Sequence, residues 1–206
     1  MQNKPAVILK TKNQAGFSLL EVLISVVVLS FGLLGMVGLQ AAALQGNRDA
    51  RLQSTAISLA RELAETMRAN KDIALLATNP YLGAFNTQPL VAAAPSYCLN
   101  VGSAPTACAN RTAIANADMT EWLARVSDEL PSPRVEVCVD SAPYDANGVP
   151  RWICDATGTG ATTVIKMGWT RASTNRSLSG ADALQRASAA NSSPILVFPI
   201  SAGNEL

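Results

Sequence analysis

Glu21 is the residue of this chain whose chemistry most needs an explanation. It is the one charged side chain between Phe17 and Leu39, and the rest of that run is apolar or small. A carboxylate at the centre of a bilayer costs about 2.5 to 3.5 kcal/mol on insertion scales. Two explanations are open from the residues alone. Either the side chain extends to the membrane surface from near the helix end, or it binds a cation that the helix does not supply.

Cysteines are the other residues with distinctive chemistry, at positions Cys98, Cys108, Cys138 and Cys154. Their spacings fit neither a redox motif nor a zinc ribbon, and in an exported chain an even number is typical of two disulfides. We therefore expect an oxidising compartment. Four cysteines allow three pairings. We predict that Cys98 and Cys108 close a loop, and that an Asn147-Gly148 turn brings Cys138 within reach of Cys154.

The composition argues against several classes of function. The chain has no histidine, which removes the commonest general base and metal ligand. It shows no nucleophile with a histidine partner, no Gly-rich phosphate loop and no calcium-loop spacing. The net charge is +1 and no basic cluster occurs beyond the N-terminus, so the sequence predicts no basic surface that would bind nucleic acid. We predict no enzymatic activity, no cofactor, no metal site and no nucleic-acid partner.

The elements that must position Glu21 are a basic leader and a membrane-spanning helix. The first 16 residues carry Lys4, Lys10 and Lys12 and no acid, which favours a cytoplasmic leader. The run from Phe17 to Leu39 would form about 35 Å of helix, enough to cross a bilayer.

Two simpler interpretations of this segment are less satisfactory. A secretory signal peptide cut after the small residues 41–43 would have a shorter apolar region without a carboxylate. A plain signal anchor accounts for the span but not for Glu21 or for Gly16 before Phe17.

The sequence Gly16-Phe17-Ser18-Leu19-Leu20-Glu21 after a basic leader resembles the class III leader of type IV prepilins and pseudopilins. The resemblance implies that prepilin peptidase cuts after Gly16 and methylates the new N-terminal Phe17. It also implies that Glu21 sets the register between subunits. The cut creates an α-ammonium group in the apolar zone, and that cation can pair with Glu21 of a neighbouring chain.

A continuous helix is predicted from the membrane segment to Asn70. Gly32, Gly35 and Gly38 recur every third residue, which favours close helix packing or local loosening of the helix. Beyond residue 41 one face is apolar, with residues at spacings of three and four: Leu52, Ala56, Leu59, Leu63 and Met67.

The rest of the chain predicts a head built from a loop region, a short helix and a sheet. We expect a long loop over 71–115 and a helix over 116–130, with Asp118 as its N-cap and Trp122, Val126 and Leu130 on one face. Period-two patterns predict strands over 134–140, 151–154, 163–170 and 195–198, with Pro199 at an edge or at the end of pairing. Residues 171–193 should be a surface loop or a short helix.

The predicted fold class is α+β, a long N-terminal helix packed on a C-terminal antiparallel sheet. The predicted domains are a cleaved leader (1–16), a transmembrane and assembly half-helix (17–40), an amphipathic half-helix (41–70) and a disulfide-containing head (71–206).

Three further stretches, 32–40, 60–70 and Glu121-Trp122-Leu123, resemble the PilV-type minor pilins. That resemblance implies a low-abundance subunit that primes type IV pilus assembly, twitching motility and adhesion. The implied partners are prepilin peptidase, other minor pilins, the major pilin, a tip adhesin, the assembly platform and inner-membrane lipid. The chain would cross the inner membrane once with its head in the periplasm, and would then enter the fibre at the cell surface. A minor pseudopilin of a type II secretion system and a signal-anchored periplasmic protein are the alternatives.

Overall fold

The structure, a computed structural model, describes residues 16–99, 107–173, 175 and 177–201. The chain separates into two compact units, Met1–Asn47 and Arg48–Leu206, and each is described by itself. The leader lysines Lys4, Lys10 and Lys12 lie outside the described residues. The elements in chain order are α1 (Leu19–Ala69), α2 (Lys71–Ala74), β1 (Gly83–Phe85), α3 (Arg111–Glu129), β2 (Arg134–Asp140), β3 (Thr162–Gly168), β4 (Arg171–Ala172), a 3₁₀ turn (Gly180–Ala183), β5 (Leu184–Gln185) and β6 (Leu196–Ile200).

Helix α1 confirms the prediction of one continuous helix, and its two parts differ in burial. Every described side chain from 16 to 48 is exposed in this single chain. In the second unit the predicted apolar face is buried, because Leu59, Leu63 and Met67 join the core while Leu52 packs at its margin.

Helix α3 begins earlier than predicted. Its N-cap is Asn110, whose side-chain oxygen accepts a hydrogen bond of 2.8 Å from the Ala113 N–H. The prediction of Asp118 as the cap is therefore wrong, since Asp118 lies two turns inside the helix. The alanine-rich first turns carry little periodicity, so the apolar pattern alone gave the start too late. The predicted face is confirmed: Trp122, Val126 and Leu130 are all buried.

The prediction of a long loop region over 71–115 is wrong for part of the segment. The segment holds α2, the first turn of α3, and strand β1, which pairs Phe85 with Val135 of β2. Elements of three or four residues are too short to show a hydrophobic period, which is why the sequence pattern does not reveal them.

The main sheet is antiparallel, in the order β1-β2-β3-β6. Strands β2, β3 and β6 confirm three of the predicted strands. The predicted strand at 151–154 is wrong, because β2 pairs with β3 along its whole length, from Arg134 opposite Gly168 to Asp140 opposite Thr162. Residues 141–161 instead form a connection across the outer face of the sheet, where the Trp152 ring packs against Gly168.

Strand β6 lies at the sheet edge, as Pro199 predicted, although pairing continues through the proline to Ile200. Proline is tolerated in an edge strand because it lacks an N–H, and on the open side of the sheet no neighbouring strand needs that donor. The region 171–193, predicted as a loop or short helix, holds the small β4-β5 pair and the 3₁₀ turn.

The core of the second unit lies between the sheet and helices α1 and α3. The inner face of the sheet contributes Val135, Val137, Ile165 and Met167 to the same buried cluster as the two helices. Trp122 of α3 donates its indole N–H to the Leu59 carbonyl of α1 at 2.9 Å. Arg125 and Glu62 form a two-point ion pair between the same helices. These contacts confirm the α+β architecture.

Candidate functional site: the start of the apolar helix

The residues predicted to be processed lie immediately before helix α1. Gly16, Phe17 and Ser18 are exposed and outside regular structure, and the helix begins at Leu19. The Ser18 hydroxyl oxygen accepts from the Leu20 N–H at 3.3 Å, and the Ser18 carbonyl accepts from Glu21 at 3.0 Å. Ser18 therefore caps the helix. The Gly16–Phe17 peptide bond is left in accessible, non-helical chain, the form in which a peptidase can bind it.

Glu21 lies in the first turn of α1. The free N–H groups there carry partial positive charge and favour a carboxylate, although the effect is of order 0.3 to 1 kcal/mol. That is smaller than the cost of about 2.5 to 3.5 kcal/mol for a charge in a bilayer. Among the residues that the structure describes, Glu21 has no ion-pair partner. Both explanations for this carboxylate therefore stay open: its side chain reaches the membrane surface from near the helix end, or it pairs with a cation from outside these residues.

The serines of the apolar segment show how other polar groups are accommodated. Ser25 donates its hydroxyl to the Val22 carbonyl at 2.8 Å, and Ser30 donates to the Val26 carbonyl at 2.7 Å. Both hydroxyls are satisfied within the helix. Unlike these two hydroxyl groups, the carboxylate of Glu21 has no ion-pair partner among the described residues.

Packing within the chain does not explain the three helix glycines. A Cβ atom added to Gly32, Gly35 or Gly38 would meet nothing within 4 Å. These glycines therefore serve either contacts with other chains or the local flexibility of the helix, and both predicted roles stay open.

The first part of α1 has the length and composition of a membrane span. Its large apolar side chains are exposed, including Phe17 at 84% and Leu19 at 91%. An exposed apolar surface of this extent is typical of a membrane or protein interaction site.

Both disulfides are present in the structure, as Cys98–Cys108 and Cys138–Cys154. The second joins β2 to the connection 141–161. Asp140 lies near the two sulfur atoms of that disulfide, but bonded sulfurs are not thiolate ligands, so this trio does not make a metal site.

Two polar clusters of the head were missed by sequence reasoning. In one, Lys166 of β3 lies against Asp140 of β2, with both side chains fully buried. In the other, the Tyr81 hydroxyl donates to Asp118 at 3.2 Å and accepts from Asn70 at 3.2 Å. In the sequence, Lys166 is only one of the residues that alternate with Ile165 and Met167 in β3, and that pattern gives no sign of its burial. The connection 141–161 covers its face of the sheet, and a period of two does not reveal such a cover.

Burial changes the acidity of these groups. It raises the pKa of Tyr81 to about 12, opposed by the hydrogen bond from Asn70. It also raises the pKa of Asp118, against the hydrogen bond from Tyr81. Glu136, opposite Lys166 in the sheet, has its pKa raised by burial against the charges of Arg134 and Lys166.

An exposed, non-helical segment at residues 16–18, a capped apolar helix whose first-turn acid has no ion-pair partner among the described residues, and an α+β head are together the features of a membrane-anchored, pilin-like subunit. Two family models match adjacent parts of the chain: the prokaryotic N-terminal methylation motif over residues 11–37, and the type IV pilin Tt1218 over residues 38–120. The chain belongs to the type IV pilin family. No curated protein and no solved structure matched it.

Proposed function

We propose that this chain is a minor pilin, a structural subunit that helps to prime assembly of a type IV pilus. The observation that carries the proposal is the motif from Gly16 to Glu21 at the start of an apolar helix, in a chain that matches the type IV pilin family. Prepilin peptidase cuts after Gly16 and methylates Phe17. The leader with its three lysines remains on the cytoplasmic side.

Glu21 sets the register between neighbouring subunits. The cut releases an α-ammonium group on Phe17, and this group supplies the cation that the described residues do not offer. Burying a carboxylate in an apolar fibre core is unfavourable until a cation pairs with it. Processing is therefore required before assembly.

The assignment to the PilV-type minor pilins is supported by the resemblance in segments 32–40, 60–70 and 121–123. In this role the chain acts with other minor pilins, the major pilin and a tip adhesin at the inner-membrane platform. It supports twitching motility and adhesion, and its head moves from the periplasm to the cell surface.

A deletion of the coding sequence tests this function against the main alternative. We expect loss of surface fibres and of twitching, with protein secretion unchanged. A strain with normal fibres that fails to export its secreted proteins would instead identify a minor pseudopilin. Complementation with the unaltered chain controls for effects on neighbouring genes.

A further inference from the structure

Lys166 and Asp140 lie on neighbouring strands and meet on the outer face of the sheet. Lys166 is opposite Glu136 and Asp140 is opposite Thr162, so the lysine side chain reaches diagonally along the strands. Its Nζ atom is 2.6 Å from Asp140 Oδ2, and both side chains are 0% exposed. An amine and a carboxyl group are thus enclosed together, and the proposed assembly function uses neither.

The two oxygen atoms of the Asp140 carboxyl group differ in their hydrogen bonding. Oδ1 accepts hydrogen bonds from the Ala142 N–H at 2.9 Å and the Asp155 N–H at 3.0 Å. Oδ2 is buried and accepts no hydrogen bond of regular geometry, despite its close approach to Nζ. Two backbone N–H groups on one carboxyl oxygen are also the arrangement that stabilises an oxyanion during acyl transfer.

The amine of Lys166 is oriented by two carbonyl groups. Nζ donates to the Ile153 carbonyl at 2.8 Å and makes a longer contact of 3.4 Å with the Trp152 carbonyl. These two contacts use two of the three N–H groups of Lys166, and the third is free for Asp140, whose Oδ2 lies 2.6 Å from Nζ. When that proton moves to Oδ2, the nitrogen gains a lone pair beside the carboxyl group.

The surroundings enclose both charged groups, so a buried ion pair here carries a desolvation cost that a neutral amide does not. The connection 141–161 covers the site and is fastened to β2 by the Cys138–Cys154 disulfide. Two buried charges carry a desolvation cost of several kcal/mol each, which their attraction does not always offset. Reacting groups fixed in this way have effective concentrations of about 10⁵ to 10⁸ M, which favours condensation between two side chains that are closed to bulk solvent.

We propose that Lys166 and Asp140 condense to form an intramolecular amide bond between β2 and β3. One ammonium proton passes to Oδ2, and the freed lone pair attacks the carboxyl carbon Cγ. Negative charge collects on Oδ1, where the N–H groups of Ala142 and Asp155 hold it. A second proton moves from nitrogen to Oδ2, the Cγ–Oδ2 bond breaks and one water molecule leaves. The product keeps one N–H and no charge, and neither an oxidant nor another reactant is needed.

Peptide mapping of the full chain, purified in detergent, reduced and alkylated, tests the bond directly. We expect the tryptic peptides of Asp140 and Lys166 to be joined, with the mass of one water missing and no cleavage after Lys166. This loss should appear in essentially all of the purified protein. Separate peptides with unmodified masses would overturn the proposal.

Two substitutions distinguish the amide from an unusually stable ion pair. In Asp140→Asn the amine displaces ammonia instead of water, so the joined peptide should have the same mass as in the wild type. Lys166→Arg keeps the positive charge but has no primary amine, and its peptides should remain separate. An unlinked Asp140→Asn chain, or a linked Lys166→Arg chain, would contradict the mechanism. Asp182→Asn, in the exposed 3₁₀ turn, serves as the control and should leave the joined peptide unchanged.

Discussion

At the scale of single residues, the chemistry of this pilin lies in a few groups at the start of α1. Gly16 and Phe17 are in exposed, non-helical chain, and Glu21 lies in the first turn of the helix with no ion-pair partner among the described residues. All three were predicted from the motif, although their roles in cleavage, methylation and assembly remain proposals. The motif is readable because a carboxylate in an apolar run departs strongly from the expected composition.

Replacing Gly16 with valine should cause the uncut precursor to accumulate. Among the residues that the structure describes, a Cβ at Gly16 meets nothing within 4 Å, so we expect the block to arise at the peptidase and not from misfolding. Immunoblotting of membranes for the longer form measures this. Gly46→Val, also at an open position, is the matched control. Normal maturation of the Gly16 variant would remove Gly16 from the cleavage site.

Replacing Glu21 with alanine should leave cleavage intact and lower incorporation into fibres. Loss of one partner of a buried ion pair costs about 3 to 5 kcal/mol, so incorporation should fall at least about tenfold. Quantitative blots of sheared fibres against whole cells give the ratio. Glu65→Ala changes an exposed acid farther along α1 and should leave the ratio unchanged. Wild-type incorporation of the Glu21 variant would refute the registration role.

At the scale of elements, long periodic segments could be predicted and short or covered ones could not. Helix α1 and strands β2, β3 and β6 could be predicted because each presents one face to the core. The apolar residues on that face recur with the period of the helix or strand. The start of α3 depended on the single cap Asn110, and β1 has only three residues. The burial of Lys166 could not be predicted, because the sequence gives no sign that residues 141–161 return over its face of the sheet.

Contact between α1 and α3 depends on Trp122. Trp122→Phe removes the hydrogen bond to the Leu59 carbonyl and should lower the free energy of unfolding by about 1 kcal/mol. Trp122→Ala also removes buried ring surface and should cost about 3 to 5 kcal/mol. Denaturant unfolding in detergent measures both. Tyr97→Phe, at a side chain that is 63% exposed, should change little. Wild-type stability of Trp122→Phe would argue against a contribution from this hydrogen bond.

The free energy of unfolding should depend on pH through Asp118, which joins α3 to Tyr81. Burial raises the pKa of Asp118 above its usual 3.8, so the folded chain binds more protons than the unfolded chain just above pH 3.8. Stability contributed by this group therefore falls as pH rises through that window and is constant above it.

Asp118→Asn should remove this dependence, because the amide oxygen still accepts the hydrogen bond from Tyr81 and carries no charge. Melting curves of both proteins from about pH 3 to pH 7 test this. The wild type should lose stability relative to the variant as pH rises. If the stability of both proteins changed with pH in the same way, ionisation of Asp118 would not destabilise the folded chain. Asp182→Asn, at an exposed position, controls for general charge effects.

At the scale of the whole molecule, the chain is a membrane-anchored type IV pilin with an α+β head that contains two disulfides. The predicted boundaries of leader, half-helices and head remain predictions. The sequence motif identified the family, because its residues are contiguous. In the head, the Cys138–Cys154 disulfide was predicted, whereas the contact between Lys166 and Asp140 was not, because nothing in the sequence pattern brings these two distant residues together.

The central claim is that the chain is cut after Gly16 before it assembles. Mass spectrometry of the N-terminal peptide of the protein from wild-type membranes tests this most directly. We expect a peptide that begins at Phe17 and carries one added methyl group on its α-amine, and we expect the full-length form in cells that lack prepilin peptidase. An N-terminus at Met1, or one beyond residue 43, in wild-type cells would contradict the account.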